Sequence, residues 1–276
     1  MTSSTQEPGR TPSLLDRLFD RESPARPSTD VRPPFVWASI GAFYAALIAL
    51  GASLGPLAAV IAVALAAAPL ISGWPVLLGL TNRAVSRVVM TLTLVAGLVA
   101  ASFGSMPGMM LAATFAIFAS FVGEMMRHDG RLHLIEHISA SAGGAMLMIS
   151  ASMWVFAAGD WHATSRALPA AGTFVGLLTA IVIAVAALIH GFDLDHANLL
   201  GLLNTTVVGL VAAFLLSGPV WVGGAIGVCV GLVFAFIRRC TRTFERPLTW
   251  VQGYVKAVIP HCALGMIGYI FTLVVL

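Results

Sequence analysis

Nine stretches of about twenty residues contain no Asp, Glu, Lys or Arg, and together they occupy nearly all of the chain after residue 35. A bilayer with a hydrocarbon core about 30 Å thick is crossed by about 20 apolar residues, because a helix rises about 1.5 Å per residue. Each stretch is therefore long enough to cross a membrane. Apolar residues make up 58% of the 276 residues and charged residues only 10%, which excludes an ordinary soluble domain. The sequence predicts a multi-pass membrane protein.

The spans are expected to be helices rather than barrel strands. Backbone groups have no water to bind in the hydrocarbon layer, so only helices and closed barrels cross it. Continuous apolar runs such as Ala58–Ala68 lack the alternation of a barrel strand. The predicted fold class is an all-α membrane protein, a bundle of about nine transmembrane helices. The expected spans are 36–54, 57–80, 88–104, 107–123, 138–158, 171–189, 198–216, 219–237 and 257–276.

Basic residues are unevenly distributed between the two sides of the membrane that these spans imply. With a cytoplasmic amino terminus, fourteen of the fifteen Lys and Arg residues lie on the inner side, and only Arg166 lies outside. Short inner loops of membrane proteins carry such an excess. We therefore predict a cytoplasmic amino terminus and an outer carboxyl terminus. The same rule accounts for the net charge of +3, so no nucleic-acid partner is expected.

Residues 1–34 are predicted to form a disordered cytoplasmic tail, followed by a transmembrane domain of residues 35–276. The tail has too little apolar surface to offset the entropy of ordering. Within it, residues 13–20 suit a short amphipathic helix, because Ser13 can cap its start and Phe19 shares a face with the leucines. Such a helix would lie on the lipid bilayer or bind a protein partner, and the alternative is a transient turn.

Two spans carry signals of unusual packing. In the second span, Pro69 and Pro75 each remove a backbone donor and are expected to kink or interrupt the helix, with a re-entrant segment as the alternative. In the eighth span, Gly223, Gly227 and Gly231 recur at four-residue spacing and predict a close contact between helices. The tryptophans are interpreted as interfacial anchors near span ends. They are Trp37, Trp74, Trp154, Trp161, Trp221 and Trp250.

Few polar groups are predicted inside the membrane. No carboxylate or ammonium is expected near the bilayer midplane, where proton relays and ion-coupled carriers usually hold one, so a proton-coupled carrier is disfavoured. Asn204 in the seventh span and His261 in the ninth are the strongest candidates for an intramembrane functional contact. The other polar residues of these spans are Thr205 and Thr206 in the seventh and Ser139, Ser141, Ser150 and Ser152 in the fifth, and the alternative for these hydroxyls is bonding to their own helix.

The ionisable residues concentrate in two inner loops, 124–137 and 190–198. Guanidinium groups bind phosphate oxygens through paired hydrogen bonds, and carboxylates beside imidazoles can hold a divalent cation. The loops are therefore candidates for binding a phosphate-bearing substrate, although topology and helix capping alone also produce polar inner loops. No metal site and no particular cofactor is predicted. The candidate substrate-binding residues are Arg127, Asp129, Arg131, Glu136, Asp193, Asp195, Asn204 and His261.

The segment from Arg127 to Glu136, followed by a small-residue span ending at Trp154, resembles a loop found in poorly characterised polytopic membrane proteins of actinobacteria. The resemblance covers about residues 110–160. A composition rich in Ala, Val, Leu and Gly and poor in lysine suits that source. The resemblance implies a bacterial plasma-membrane location and no particular activity.

Three functions are compatible with these features. The leading hypothesis is a permease-like or accessory transport component, which a polar cavity between spans five and seven would favour. The alternative is an inner-leaflet enzyme or flippase acting on a phosphate-containing lipid headgroup, which requires the loop residues Arg127, Asp129, Arg131 and Asp193 to converge. The second alternative is an envelope or division scaffold recruited through the tail.

Overall fold

The computed structural model describes residues 35–126, 133–158, 167–191, 197–242 and 250–275. Within these ranges the chain consists of helices and short connections and contains no strand, which confirms the all-helical fold class. The predicted tail and its 13–20 helix lie outside the described residues. The ten helices are α1 (Phe35–Leu54), α2 (Pro56–Leu77), α3 (Ala84–Ser102), α4 (Met106–Met125), α5 (Leu134–Ala158), α6 (Ala167–Gly191), α7 (Ala197–Leu215), α8 (Val220–Arg242), α9 (Trp250–Ala263) and α10 (Gly265–Val275).

Among the described residues, seven helical stretches are long and apolar enough to cross a membrane. They comprise α1 to α5, most of α8, and the joined stretch Trp250–Val274 that combines α9 and α10. Two apolar stretches are shorter, Phe174–Ile189 within α6 and Leu199–Leu215 within α7. Helical structure therefore covers all nine predicted spans where the chain is described, whereas the number nine and the orientation stay predictions.

The second and last spans differ from the sequence expectation. Helix α2 continues through Pro69 and Pro75 as one helix, so an interruption is not found there, whereas the kink and the alternative re-entrant segment stay predictions. The break occurs instead in the last span, at Leu264, and the helix begins at Trp250 rather than at residue 257. The helix starts earlier because it can include the polar residues Gln252 and Lys256 when its other residues pack against the bundle. The buried residues Gly253 and Val255 show such packing in this first turn and a half of α9.

The α9–α10 pair lies between several other helices. Helix α9 packs mainly against α2 and α1, and α10 packs mainly against α5 and α6, while both contact α8. By contrast, α4 packs mainly against α3 and α5. The broken last span is thus in contact with most of the bundle, whereas α4 presents much of its apolar surface outward.

Helices α7 and α8 lie in very close contact through the predicted glycine ridge. A Cβ atom added to Gly227 would lie 2.7 Å from the Cα of Thr206, and one added to Gly231 would lie 3.0 Å from the Cα of Leu202. Only a residue without a side chain allows two helix backbones to approach so closely. The predicted packing face on the eighth span is confirmed.

Candidate functional site

His261 lies at the break between α9 and α10 and is fully buried, with none of its surface exposed. It directly follows Pro260, which stands inside α9 and has no backbone N–H to donate to the preceding turn. His261 is also close to the middle of the 25-residue apolar stretch Trp250–Val274. An ionisable side chain is therefore placed deep in the bundle, next to an interrupted helix.

Helix α5 stabilises the break by supplying side-chain hydrogen bonds. The Ser150 hydroxyl donates to the carbonyl of Ala263 at 2.9 Å and accepts from the backbone N–H of Met266 at 3.1 Å. The indole N–H of Trp154 donates to the carbonyl of His261 at 2.9 Å. Side chains inserted in this way replace helical backbone bonds at a kink. The irregular backbone is thus satisfied from within the protein, as the hydrocarbon layer requires.

The ring nitrogens of His261 are less well hydrogen-bonded than the backbone groups at the helix break. Neither ring nitrogen has a hydrogen-bond partner of acceptable geometry among the described residues, although the carbonyls of Gly41, Ala257 and Val258 lie near it. A neutral imidazole always carries one N–H donor, and leaving a buried donor without an acceptor costs about 1–3 kcal/mol. The buried ring is therefore weakly hydrogen-bonded, with three backbone carbonyls close to it but none in good hydrogen-bond geometry.

The surroundings of His261 are apolar and tightly closed. A narrow crevice between α1, α5, α6 and α9 reaches the ring, but it is too narrow to hold a water molecule. On the α1 and α6 sides the crevice is lined by small and aliphatic residues, including Ala45, Gly176 and Ala180. A ligand could contact the imidazole only after α1 and α6 had moved relative to α9.

A second polar contact lies on the same face of α9. The hydroxyl of Tyr254, seven residues before His261, forms a hydrogen bond with the hydroxyl of Tyr44 on α1. The two rings meet edge to face, with centroids 5.8 Å apart and an interplanar angle of 85°. Because residues seven apart share a helix face, α9 presents two polar side chains in line towards α1.

A separate pocket of about 570 Å³ lies where α2 ends and α5 begins, and we call it the α2–α5 pocket. Its polar lining includes Thr81, His133, Glu136 and His137. His137 is buried and has its Nε2 atom 3.1 Å from the Thr81 hydroxyl. Its Nδ1 atom lies 3.8 Å from a carboxylate oxygen of Glu124, which is also buried. Two imidazoles and a carboxylate thus line an open pocket at one end of the bundle.

The described lining of the α2–α5 pocket is acidic and imidazole-bearing. Glu136 is exposed, its carboxylate lies 3.2 Å from His133 Nδ1, and the described residues that line the pocket include no Lys or Arg. Phosphate recognition normally relies on guanidinium or ammonium groups. The described part of the chain also contains no group of three His, Cys, Asp or Glu side chains arranged to hold a metal ion.

The structure separates the residues that the sequence proposed as one set of candidates. His261 is buried in the bundle, Glu136 is exposed at the α2–α5 pocket, and Asn204 is exposed on α7. Helices α5 and α7 do not pack against each other in the described ranges, so the polar cavity expected between spans five and seven is not found there. The remaining candidates lie outside the described residues, and the lipid-headgroup hypothesis that depends on them stays a prediction. These are Arg127, Asp129, Arg131, Asp193 and Asp195.

Sequence reasoning missed the partners of His261 on α5. Trp154 was interpreted as an interfacial anchor, and this is wrong, because its side chain is only 2% exposed and bonds within the bundle. A usable signal existed: Ser150 and Trp154 are four residues apart and therefore share a face of one helix. Glu124 and His137 are the two ends of the predicted inner loop 124–137 but were not chosen as candidate residues, and the structure buries both.

Comparison with protein-family models, with curated proteins and with solved structures finds no match to this chain. The resemblance of residues 110–160 to polytopic actinobacterial proteins therefore stays a prediction.

Proposed function

We propose that this chain is a permease-like transport component of a bacterial plasma membrane, with nine spans, a cytoplasmic amino terminus and a substrate path that passes His261. The observation that supports the proposal is the fully buried imidazole of His261, which has no hydrogen-bond partner among the described residues and lies beside the broken last span. In this proposal the protein is embedded in the lipid bilayer and binds no nucleic acid.

Two features of His261 point to transport: it is an ionisable residue inside the bundle, and it lies beside an interrupted helix. An ionisable residue inside a membrane is expensive and usually marks a functional pathway. Interrupted helices near the bilayer midplane form substrate and ion sites in many transporters, because the irregular backbone is tolerated only where protein or a cavity surrounds it. His261 meets both conditions at once, since it lies near the middle of the interrupted stretch Trp250–Val274.

Transport also requires a second conformation in which the path is open. The break at Leu264, one turn after Pro260, is suited to act as a hinge, because the backbone N–H of Met266 donates to the Ser150 hydroxyl, while the N–H of Leu264 keeps its helical bond to the Pro260 carbonyl. The described state is the closed one, with the crevice at His261 too narrow for water. Opening between α9 and the α1–α6 pair would bring water or substrate to the imidazole.

Cys262 provides a direct test of opening, because it follows His261 and is only 1% exposed. In a protein with Cys229→Ser and Cys240→Ser, Cys262 is the one cysteine of the chain left for a charged methanethiosulfonate reagent, which needs an aqueous path. We expect slow but complete modification in native membrane vesicles. The matched protein that keeps the exposed Cys240 instead should react quickly. Modification of Cys262 only after denaturation would contradict the proposal.

Three further variants test the hinge and distinguish the path from the alternative site. Adding Pro260→Ala to the Cys262 protein restores a backbone donor, stiffens the hinge and should slow modification several-fold. In complementation of a deletion strain, His261→Gln should abolish function at normal membrane abundance, because the glutamine cannot reproduce the imidazole. Glu136→Gln in the α2–α5 pocket should complement fully. The reverse pattern would move the functional site to that pocket and overturn the assignment to His261.

A further inference from the structure

We propose that the exposed face of α7 centred on Asn204 is the interface between two copies of this protein. The inference rests on the proposed function in one respect, namely that α7 lies in the membrane. It commits to a second copy as the occupant of this face, with Asn204 of each copy bonded to Asn204 of the other.

The first observation is that Asn204 is exposed in the middle of an apolar helix. It is the eighth residue of α7 and lies about 10 Å from the start of the helix at about 1.5 Å per residue. Its amide forms no hydrogen bond within the described part of the chain, whereas exposed hydroxyls elsewhere are satisfied locally. Thr91 and Thr114, for example, each donate to the carbonyl four residues earlier.

The second observation is that Asn204 belongs to a continuous apolar stripe. Leu200, Val207, Val211 and Phe214 are all exposed, and with Asn204 they follow a spacing of four, three, four and three residues. This is the heptad spacing of a helix that packs against a partner helix in a left-handed coiled coil. The stripe lies on a different face from the one that packs on α8, which uses Thr205, Gly209 and Ala213.

Lipid alone does not satisfy such a residue. The amide has two N–H donors and a carbonyl acceptor, and the hydrocarbon layer has no water to bond them. Asn side chains bond across helices in membranes and contribute about 1–2 kcal/mol in model peptides. If acyl chains surrounded Asn204, neither its amide N–H groups nor its amide carbonyl would form a hydrogen bond between helices.

A second copy is the partner that the geometry favours. Two copies inserted with the same orientation have their Asn204 residues at the same depth in the membrane. An unrelated protein need not have a polar residue at that depth. A two-fold axis along the membrane normal then brings the two amides together, and each donates to the other because an amide is self-complementary. The flanking leucine, valines and phenylalanine pack around this pair, as apolar residues pack around a buried asparagine in a parallel coiled coil.

The test measures association of the full chain in vesicles of phosphatidylethanolamine and phosphatidylglycerol. Donor and acceptor dyes are attached at the exposed Cys240, and energy transfer is followed as lipid is added. Asn204→Leu should weaken association about tenfold, which is the loss expected for about 1–2 kcal/mol. Asn204→Gln should restore much of it, because the amide is retained. The matched control Thr114→Val, on the exposed face of α4, should leave association unchanged.

Crosslinking tests the register of the interface. In a cysteine-free chain, Val207→Cys should form a disulfide between copies on mild oxidation, whereas Val95→Cys on α3, which is equally exposed, should not. A wild-type protein that stays monomeric at every lipid ratio would overturn the proposal, as would association that survives Asn204→Leu or occurs only with a different protein. Failure here leaves the Cys262 and His261 experiments untouched, so it is distinguishable from failure of the proposed transport function.

Discussion

Replacing Gly227 with alanine tests one of the close helix contacts in the described structure. The added Cβ would lie 2.7 Å from the Cα of Thr206 and 2.9 Å from the carbonyl carbon of Thr205, both backbone atoms of α7. Favourable carbon–carbon contact needs about 3.5–4.0 Å. Because backbone atoms cannot rotate aside, α8 must retreat by about 1 Å along much of its contact with α7.

The expected magnitude follows from this displacement. Overpacking a close contact costs about 1–3 kcal/mol, and for a chain of this size each kcal/mol lowers the melting temperature by about 2–4 °C. The collision alone is expected to lower the melting temperature by roughly 2–12 °C in Gly227→Ala. This loss is opposed by helix propensity, because alanine stabilises a helix by about 1 kcal/mol relative to glycine. The collision must exceed that gain before any loss is observed.

Gly143→Ala on α5 supplies the matched control. Its added Cβ would have its nearest neighbour at 3.9 Å, the Cζ2 atom of Trp74, which is ordinary contact. The helix-propensity gain then acts alone, so the melting temperature should stay constant or rise. Loss of helical circular dichroism on heating in detergent measures both variants. A Gly227→Ala protein that melts at or above the wild-type temperature would refute the close approach of α7 and α8.

Three further predictions concern the break, the orientation and the loop. Ser150→Ala removes the hydroxyl that bridges the α9–α10 break and should destabilise the protein by about 1–3 kcal/mol in the same melting assay. The control Ser53→Ala, at an exposed serine, should have little effect. Reporter fusions at Arg83 should score cytoplasmic and those after Leu276 external; a cytoplasmic carboxyl terminus would contradict nine spans. Arg131→Lys keeps the charge for insertion but loses paired phosphate bonding, so full complementation at normal abundance would remove the support for a lipid-headgroup site.

The membrane class could be predicted from the sequence because the length of a charge-free run is a local property. The same local rule misplaced the start of the last span at residue 257. It treats the polar side chains of Gln252 and Lys256 as outside the membrane segment, although α9 includes them. The prolines at 69 and 75 predicted a kink or an interruption in the second span, but α2 continues through both, and the helix break lies in the last span. The actual break depends on Ser150 and on neighbours distant in sequence, which no local rule includes.

Asn204 and His261 gave the same signal in the sequence, a polar residue in an apolar span, yet one is exposed and the other fully buried. Hydrophobicity could not separate them, because lipid and protein interior are equally apolar and a span has no polar face to mark its outside. Small residues carry the distinguishing information. On α7, Thr205 and Gly209 mark the face that α8 covers, and Asn204 lies beside that face rather than on it. In a bundle of this kind, the spacing of glycine, alanine and threonine therefore predicts which side of a helix faces protein, and a polar residue off that side points to a partner outside the chain.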